Sequence, residues 1–308
     1  MIEILYSNTR QPQLERREKP KTGSWIHVVA PTDDELEQIA ETYNLDEDLL
    51  KDATDIYETP RVEREEQGVY IFTRYCYPEG GDITTEPLLV IYTPDYLLTI
   101  MRREAKVLDL LVHNVQPVIT TQRTKTLLQI LGAINTSYVR NIHTISKQIL
   151  TIRSKLSKSD IKNEYFINFI DLEEQLNEFL TSLQSQGVVF RSLLTGKFLP
   201  LYEQDEDLVE DLSLGTTELI DLIKSRIKTI SNTREAYATI MANNLNKTFK
   251  KLTSIGIFLT IPTITTGLYG MNLHLPLSQY PNAFWMILVI VMTITGFAIW
   301  LFKKLKWL

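Results

Sequence analysis

Near the C-terminus, Gly270-Met271-Asn272 closes a run of small and hydroxyl-bearing residues set at helical spacing. Gly256, Thr260, Thr263, Gly267 and Gly270 are 4, 3, 4 and 3 positions apart, so they share one helix face. Toward the N-terminus the same face passes through Leu252 or Thr253, then Phe249, then Asn246. Threonine hydroxyls, bare backbone at glycines and the asparagine amides offer neutral oxygens and no formal charge. Such a stripe suits a narrow polar lumen between symmetric copies. The same stripe also suits close helix packing, where small residues let two backbones approach. Three neighbouring features weigh toward a pore. Polar Asn246 and Asn272 bound the stripe, and Pro262 removes a backbone donor in mid-span and frees a carbonyl. The stripe is also collinear with a long helical pattern that suits a gating lever.

The segment that must position these residues is apolar. From Leu252 to Phe302 the chain runs 51 residues without Asp, Glu, Lys or Arg. About 20 helical residues span a bilayer core, so this run predicts two crossings. The first is 252–272, pore-lining; a link follows at 273–282, and the second crossing is 283–302. The second is large and apolar, interrupted only by Thr293, Thr295 and Gly296. Lys247, Lys250 and Lys251 precede the pair and Lys303, Lys304 and Lys306 follow it, while the link has no basic residue. The positive-inside rule then predicts a multi-pass cell-membrane protein with both termini cytoplasmic, ending in a basic tail, 303–308. Met1–Tyr6 lacks the basic and apolar regions of a signal peptide, and the single Cys76 excludes an internal disulfide.

Ahead of the hairpin, 29 basic residues stand against 38 acidic ones, which argues against nucleic acid as a partner. Residues 1–120 read as a cytoplasmic α/β domain. Its predicted strands are Met1–Tyr6, Trp25–Ala30, Val69–Tyr77, Leu88–Thr93 and Tyr96–Met101, and its predicted helices are Asp34–Thr42, Asp46–Ala53 and Glu104–Val115. A proline-free stretch follows, read as a helical pair over 121–200 (Thr124–Leu156 and Lys162–Leu194). Over 201–251, Leu208, Leu212, Leu219, Ile223, Ile227, Ile230, Tyr237 and Met241 keep a near-heptad stripe. That pattern predicts a stalk helix which continues into the first span for about 60 residues, or about 90 Å.

Tyr269-Gly270-Met271-Asn272, at the end of the first of two C-terminal spans, resembles the hallmark of the CorA-type magnesium channels. Ile240–Asn246, Pro262, Gly267, Pro60-Arg61-Val62-Glu63 and the tail Lys303–Leu308 are also similar to that family. The resemblance implies a homopentamer in which an α+β funnel precedes long α-helices and the transmembrane hairpin. Gly270, Met271 and Asn272 would form the outer selectivity filter, with Asn272 holding the ion. Thr263 and Thr260 would line the upper pore, Leu252 and Phe249 a hydrophobic constriction, and Asn246 a lower polar ring. It further implies passive Mg²⁺ influx, worth about 4.6 kcal/mol per ion at 100 mV. No cofactor is required: Mg²⁺ is the substrate and also the regulator. Counting back from the motif, Asp211 falls on the family's stalk aspartate, one turn beyond Asp207, and is the candidate regulatory metal ligand. Glu63, Glu65 and Glu66 are candidate partners for it.

One departure concerns the mouth. Many relatives carry acidic residues just after the Asn, whereas Leu273–Tyr280 has none, which leaves the preference among divalent ions open. The alternatives are therefore transport of Zn²⁺, Co²⁺ or Ni²⁺ by the same architecture, or a non-conducting membrane-anchored scaffold. No nucleophile–base set or nucleotide loop marks an enzyme. His27, His113 and His143 lack mutual ligand spacing and read as structural.

Overall fold

A computed structural model describes residues 1–156, 163–271, 276 and 280–305. The chain divides into two compact units, Met1–Ser231 and Asn232–Leu308.

The first unit is built on a seven-stranded sheet in the order β2-β1-β3-β7-β6-β5-β4. Its strands are β1 (Ile2–Asn8), β2 (Gln11–Arg17), β3 (Trp25–Val29), β4 (Arg61–Arg64), β5 (Val69–Glu79), β6 (Asp82–Tyr92) and β7 (Leu97–Met101). Only β3 and β7 pair in parallel; the other neighbours are antiparallel. Alternate residues build the core on one face. Ile26 and Val28, Tyr70 and Phe72, Leu89 and Ile91, and Leu98 and Ile100 pack with Leu36, Ile39, Ala40 and Leu50. The last four come from α1 (Asp33–Tyr43) and α2 (Glu47–Asp52). Thr32 and Glu35 form a reciprocal capping box at the start of α1, and Asp46 caps α2 through the Leu49 N–H. His27 is buried with Nδ1 2.8 Å from Thr99 Oγ1, and burial, helped by the N-terminal charge, lowers its pKa to about 4. It is a structural histidine, satisfied within the sheet.

Two long helices follow, α4 (Arg123–Leu156) and α5 (Asn163–Leu194), after a short α3 (Asp109–Val112). Buried polar pairs fix their register. The Tyr138 hydroxyl lies 2.7 Å from Ser182 Oγ, and Glu178 Oε1 accepts from Thr84 Oγ1, Thr85 N and Thr85 Oγ1. The helix α6 spans Glu203–Tyr269. Within the first unit Asn135 Nδ2 donates to the Leu212 carbonyl and to Thr216 Oγ1, while Val209, Leu219, Ile223 and Ile230 are buried. The second unit holds the rest of α6 and α7 (Ala283–Lys304). Both helices are long and apolar enough to cross a membrane.

Several local expectations differ from the structure, beginning with the strand predicted over Leu88–Thr93, which starts at Asp82 as β6. The helix predicted over Glu104–Val115 contracts to α3, because Leu108 offers no side-chain cap and Asn114 turns left-handed (φ 55°). The strands β2 and β4 are additional, and both are edge elements with little burial. Leu208 in the near-heptad stripe is half-exposed; Val209 and Thr216 point inward beside Leu219 instead.

Candidate ion-conduction site

Inside the second unit, α6 presents two opposite faces. One is covered by α7: Ser254 is fully buried, and Phe258, Ile261, Pro262 and Thr265 are half-buried. On α7 the matching positions are Ile287, Val291, Thr295, Ala298 and Phe302, at spacings of 4, 4, 3 and 4. The Phe258 and Phe302 rings meet edge to face with centroids 5.3 Å apart. At about 100° per residue, the covered face lies roughly opposite Gly256, Thr260, Thr263, Gly267 and Gly270, all of them exposed.

This geometry separates the two readings of the stripe. A Cβ built on Gly256 or Gly267 meets nothing within 4 Å, so neither glycine is small in order to admit α7. Helix packing inside the hairpin uses Ser254, not the glycines. An exposed face of hydroxyls and bare backbone leaves oxygen lone pairs without donors in lipid. It suits water, or a second polar surface.

The hydroxyls on that face are oriented as acceptors. Thr260 Oγ1 donates to the Gly256 carbonyl and Thr263 Oγ1 to the Leu259 carbonyl, each at 2.8 Å. With its proton committed to the helix, each oxygen turns lone pairs outward, which is what donor-rich ion hydration water requires. At the top, the Gly270 N–H reaches the Thr266 carbonyl at 2.9 Å, and a Cβ there would stand 3.2 Å from that oxygen. A side chain there would need that carbonyl to shift by a few tenths of an ångström. Met271 N donates to the Leu268 carbonyl and the Tyr269 hydroxyl to the Pro276 carbonyl. Asn272, with Leu273, His274 and Leu275 after it, lies outside the described residues.

Lower on α6, Asn246, Phe249 and Leu252 are all exposed, the last two at 56% and 64%. Large apolar side chains this open need a covering partner. Pro262 departs from the expectation. It sits on the α7-facing half of the helix, so the Phe258 carbonyl it leaves short of a donor belongs to the helix interface rather than the stripe.

The regulatory candidates lie in the first unit. Asp207 and Asp211 are exposed, and Asp211 lines a groove of about 1040 Å³ with Glu104, Lys106, Asp109 and Arg140. Glu63 is engaged elsewhere, since Arg61 pairs with Glu63, Glu58 and Asp52 and lies over the Phe72 ring. Burial opposes the Arg61 charge, but those carboxylates outweigh it and raise the pKa. Glu65 and Glu66 are exposed. Among the described residues, no three His, Cys, Asp or Glu side chains converge to hold a metal. Sequence reasoning missed the Ser254 face; its only signal was a serine opposite the stripe.

Known proteins share this fold. The cobalt/magnesium transport protein CorA of Methanocaldococcus jannaschii is 28% identical over 291 residues, 92% of this chain and 91% of its own. That of Thermotoga maritima is 21% identical over 93% of this chain and 84% of its own. The fold of the complete M. jannaschii CorA magnesium transporter superposes with a TM-score of 0.88 at 22% identity, over 100% of this chain and 99% of that one. Residues 20–304 match the family described as CorA-like Mg²⁺ transporter protein. Sequence match, fold and the two apolar C-terminal helices agree: this chain is a membrane protein of the CorA-like Mg²⁺ transporter family.

Proposed function

We propose that this protein is a passive Mg²⁺ channel whose path is lined by the stripe of α6 from Asn246 to Gly267 and ended by Gly270, Met271 and Asn272, with copies of the chain completing it as a homopentamer. One observation carries the reading. The hydroxyl and glycine face points away from α7 into open space, with its oxygens presented as acceptors. A face with these properties gains from surrounding a column of water and loses by contacting lipid. Asn272 and Gly270 provide the outer filter, Thr263 and Thr260 the upper pore, and Phe249 and Leu252 the constriction. Mg²⁺ holds its water tightly, so neutral oxygens pass it hydrated where a carboxylate cage would retain it.

Both termini lie in the cytoplasm, with Lys250, Lys251, Lys303 and Lys304 at the inner surface. The membrane potential drives influx, and cytoplasmic Mg²⁺ bound at Asp211, with Asp207 one turn away, limits it. No cofactor takes part and no reaction is catalysed. A second divalent ion is a specific alternative, because the link after Asn272 has no carboxylate to concentrate or sort cations; the relatives from M. jannaschii and T. maritima are cobalt/magnesium transport proteins.

The test is Mg²⁺ uptake into liposomes holding the purified protein, with Asn272→Ala beside it and Co²⁺ as competitor. Voltage-dependent uptake that Asn272→Ala abolishes is expected. Uptake that is absent, or indifferent to that substitution, contradicts the reading.

A further inference from the structure

Two threonines of α7 differ in what their hydroxyls do. Thr293 is exposed and donates back to the Val289 carbonyl at 2.7 Å, the usual resort of a threonine in an apolar helix. Thr295, one of the positions that face α6, has a fully buried Oγ1 with no hydrogen-bond partner. A buried hydroxyl left unpaired in an apolar interface is costly, and such groups need an explanation. Across the interface stands a matching deficit. Pro262 has no N–H, so the Phe258 carbonyl lacks the donor an unbroken helix would supply.

The two deficits lie close together along the hairpin. The Phe258–Phe302 ring contact sets the register of the antiparallel pair. Thr295 precedes Phe302 by two turns, as Thr265 follows Phe258 by two turns, and ring tilt toward each helix N-terminus brings Thr295 nearer Pro262. This register puts Thr295 about level with Pro262, on the half of α7 that faces α6. Thr265 does not fill the gap, because its hydroxyl is already committed to the Ile261 carbonyl at 3.0 Å.

We propose that Thr295 is a positioning residue for the conduction path: when the first span bends at Pro262, its hydroxyl supplies the donor that the Phe258 carbonyl lacks. The bond is open in this structure and closed in the bent one, so the outer helix holds the angle of the pore-lining helix from behind. Thr295 touches no ion. It acts through α6, whose opposite face carries Thr260 and Thr263. This inference rests on the channel reading, and it adds a residue of the second helix to the conduction mechanism.

A double-substitution cycle tests it. Thr295→Val keeps the shape and removes the hydroxyl; Thr295→Ser keeps the hydroxyl; Thr293→Val is the control. In the liposome uptake assay, Thr295→Val should lower maximal Mg²⁺ uptake about fivefold, the population change one net hydrogen bond can give. The Mg²⁺ concentration for half-maximal uptake should not move. Thr295→Ser should restore the rate, and Thr293→Val should leave it unchanged. In a Pro262→Ala background, which returns the missing N–H, Thr295→Val should have no further effect. Wild-type uptake in Thr295→Val, or an undiminished loss in the Pro262→Ala background, overturns the proposal. Failure of the wild-type protein to take up Mg²⁺ falls on the channel reading instead. In that event the same cycle read by thermal unfolding in detergent decides: non-additive midpoints support the Thr295–Pro262 pair, and additive ones refute it.

Discussion

Thr263 on α6 and Thr293 on α7 both fold their hydroxyls onto their own helix, at 2.8 and 2.7 Å, yet they serve different surroundings. Around Thr293 the neighbours Val289, Ile290, Met292 and Ile294 are large and apolar, a surface fit for lipid tails. Around Thr263 the same face carries Gly256, Thr260, Gly267 and Gly270, small or hydroxyl-bearing residues flanked by the exposed Leu259 and Ile264. A single back-bonded threonine is therefore neutral in meaning. What separates the helices is whether small polar residues recur every three or four positions on a face the partner helix leaves bare. Apolarity brings both helices into the membrane; the periodicity of polar exceptions divides their work.

Three substitutions bear on that difference. Leucine at the two threonines should have the largest effect. Thr263→Leu narrows the path and removes an acceptor, so Mg²⁺ uptake should fall to background. Thr293→Leu adds apolar surface to a lipid-facing helix and should change uptake less than about twofold. Equal losses would erase the distinction between the helices. Next in size, Asp211→Lys should separate the pore from its control. The maximal rate should hold, while the internal Mg²⁺ needed for half inhibition rises at least about tenfold in patch-clamp recordings. A lowered maximal rate with unchanged inhibition would move Asp211 out of the regulatory role.

The smallest effects concern stability, and they contrast residues two positions apart. Ser254 is fully buried against α7, so Ser254→Leu overpacks the interface and should cost about 1–3 kcal/mol, read as a lower unfolding midpoint in detergent. Gly256 meets open space, so Gly256→Ala should leave the midpoint unchanged or raise it, by up to about 1 kcal/mol. The reverse order would mean that α7 packs on the stripe.

How legible all this was in the sequence follows from which interactions are local. The helices α1, α2, α4 and α5 were readable because capping residues such as Thr32 and Asp46, and apolar spacing, act within a few positions. The strand β2 was not, because Gln11–Arg17 holds one half-buried residue, Leu14, and becomes a strand only through its antiparallel pairing with β1. The first half of β6 was hidden likewise: Thr84 and Thr85 look like loop until Glu178, from α5, accepts their hydrogen bonds. In the membrane unit the stripe itself was legible from spacing. Its exposure was not, since which face α7 covers depends on Phe258 and Phe302 meeting across the hairpin. The same contact assigns the carbonyl that Pro262 frees to the helix interface.

Cysteine accessibility compares the two helices most directly. The native Cys76 gives a silent background, because burial pushes its thiol up to about 12 despite hydrogen bonds with Asn141 and Ser137. Single cysteines at Thr260 and Thr263 on α6, and at Val289 and Met292 on α7, would be exposed to a charged, membrane-impermeant thiol reagent during Mg²⁺ uptake. The α6 thiols should react and block uptake, whereas the α7 thiols should stay unmodified in the lipid. Modification and block at Val289 and Met292, with Thr260 and Thr263 inert, would contradict a conduction path lined by α6.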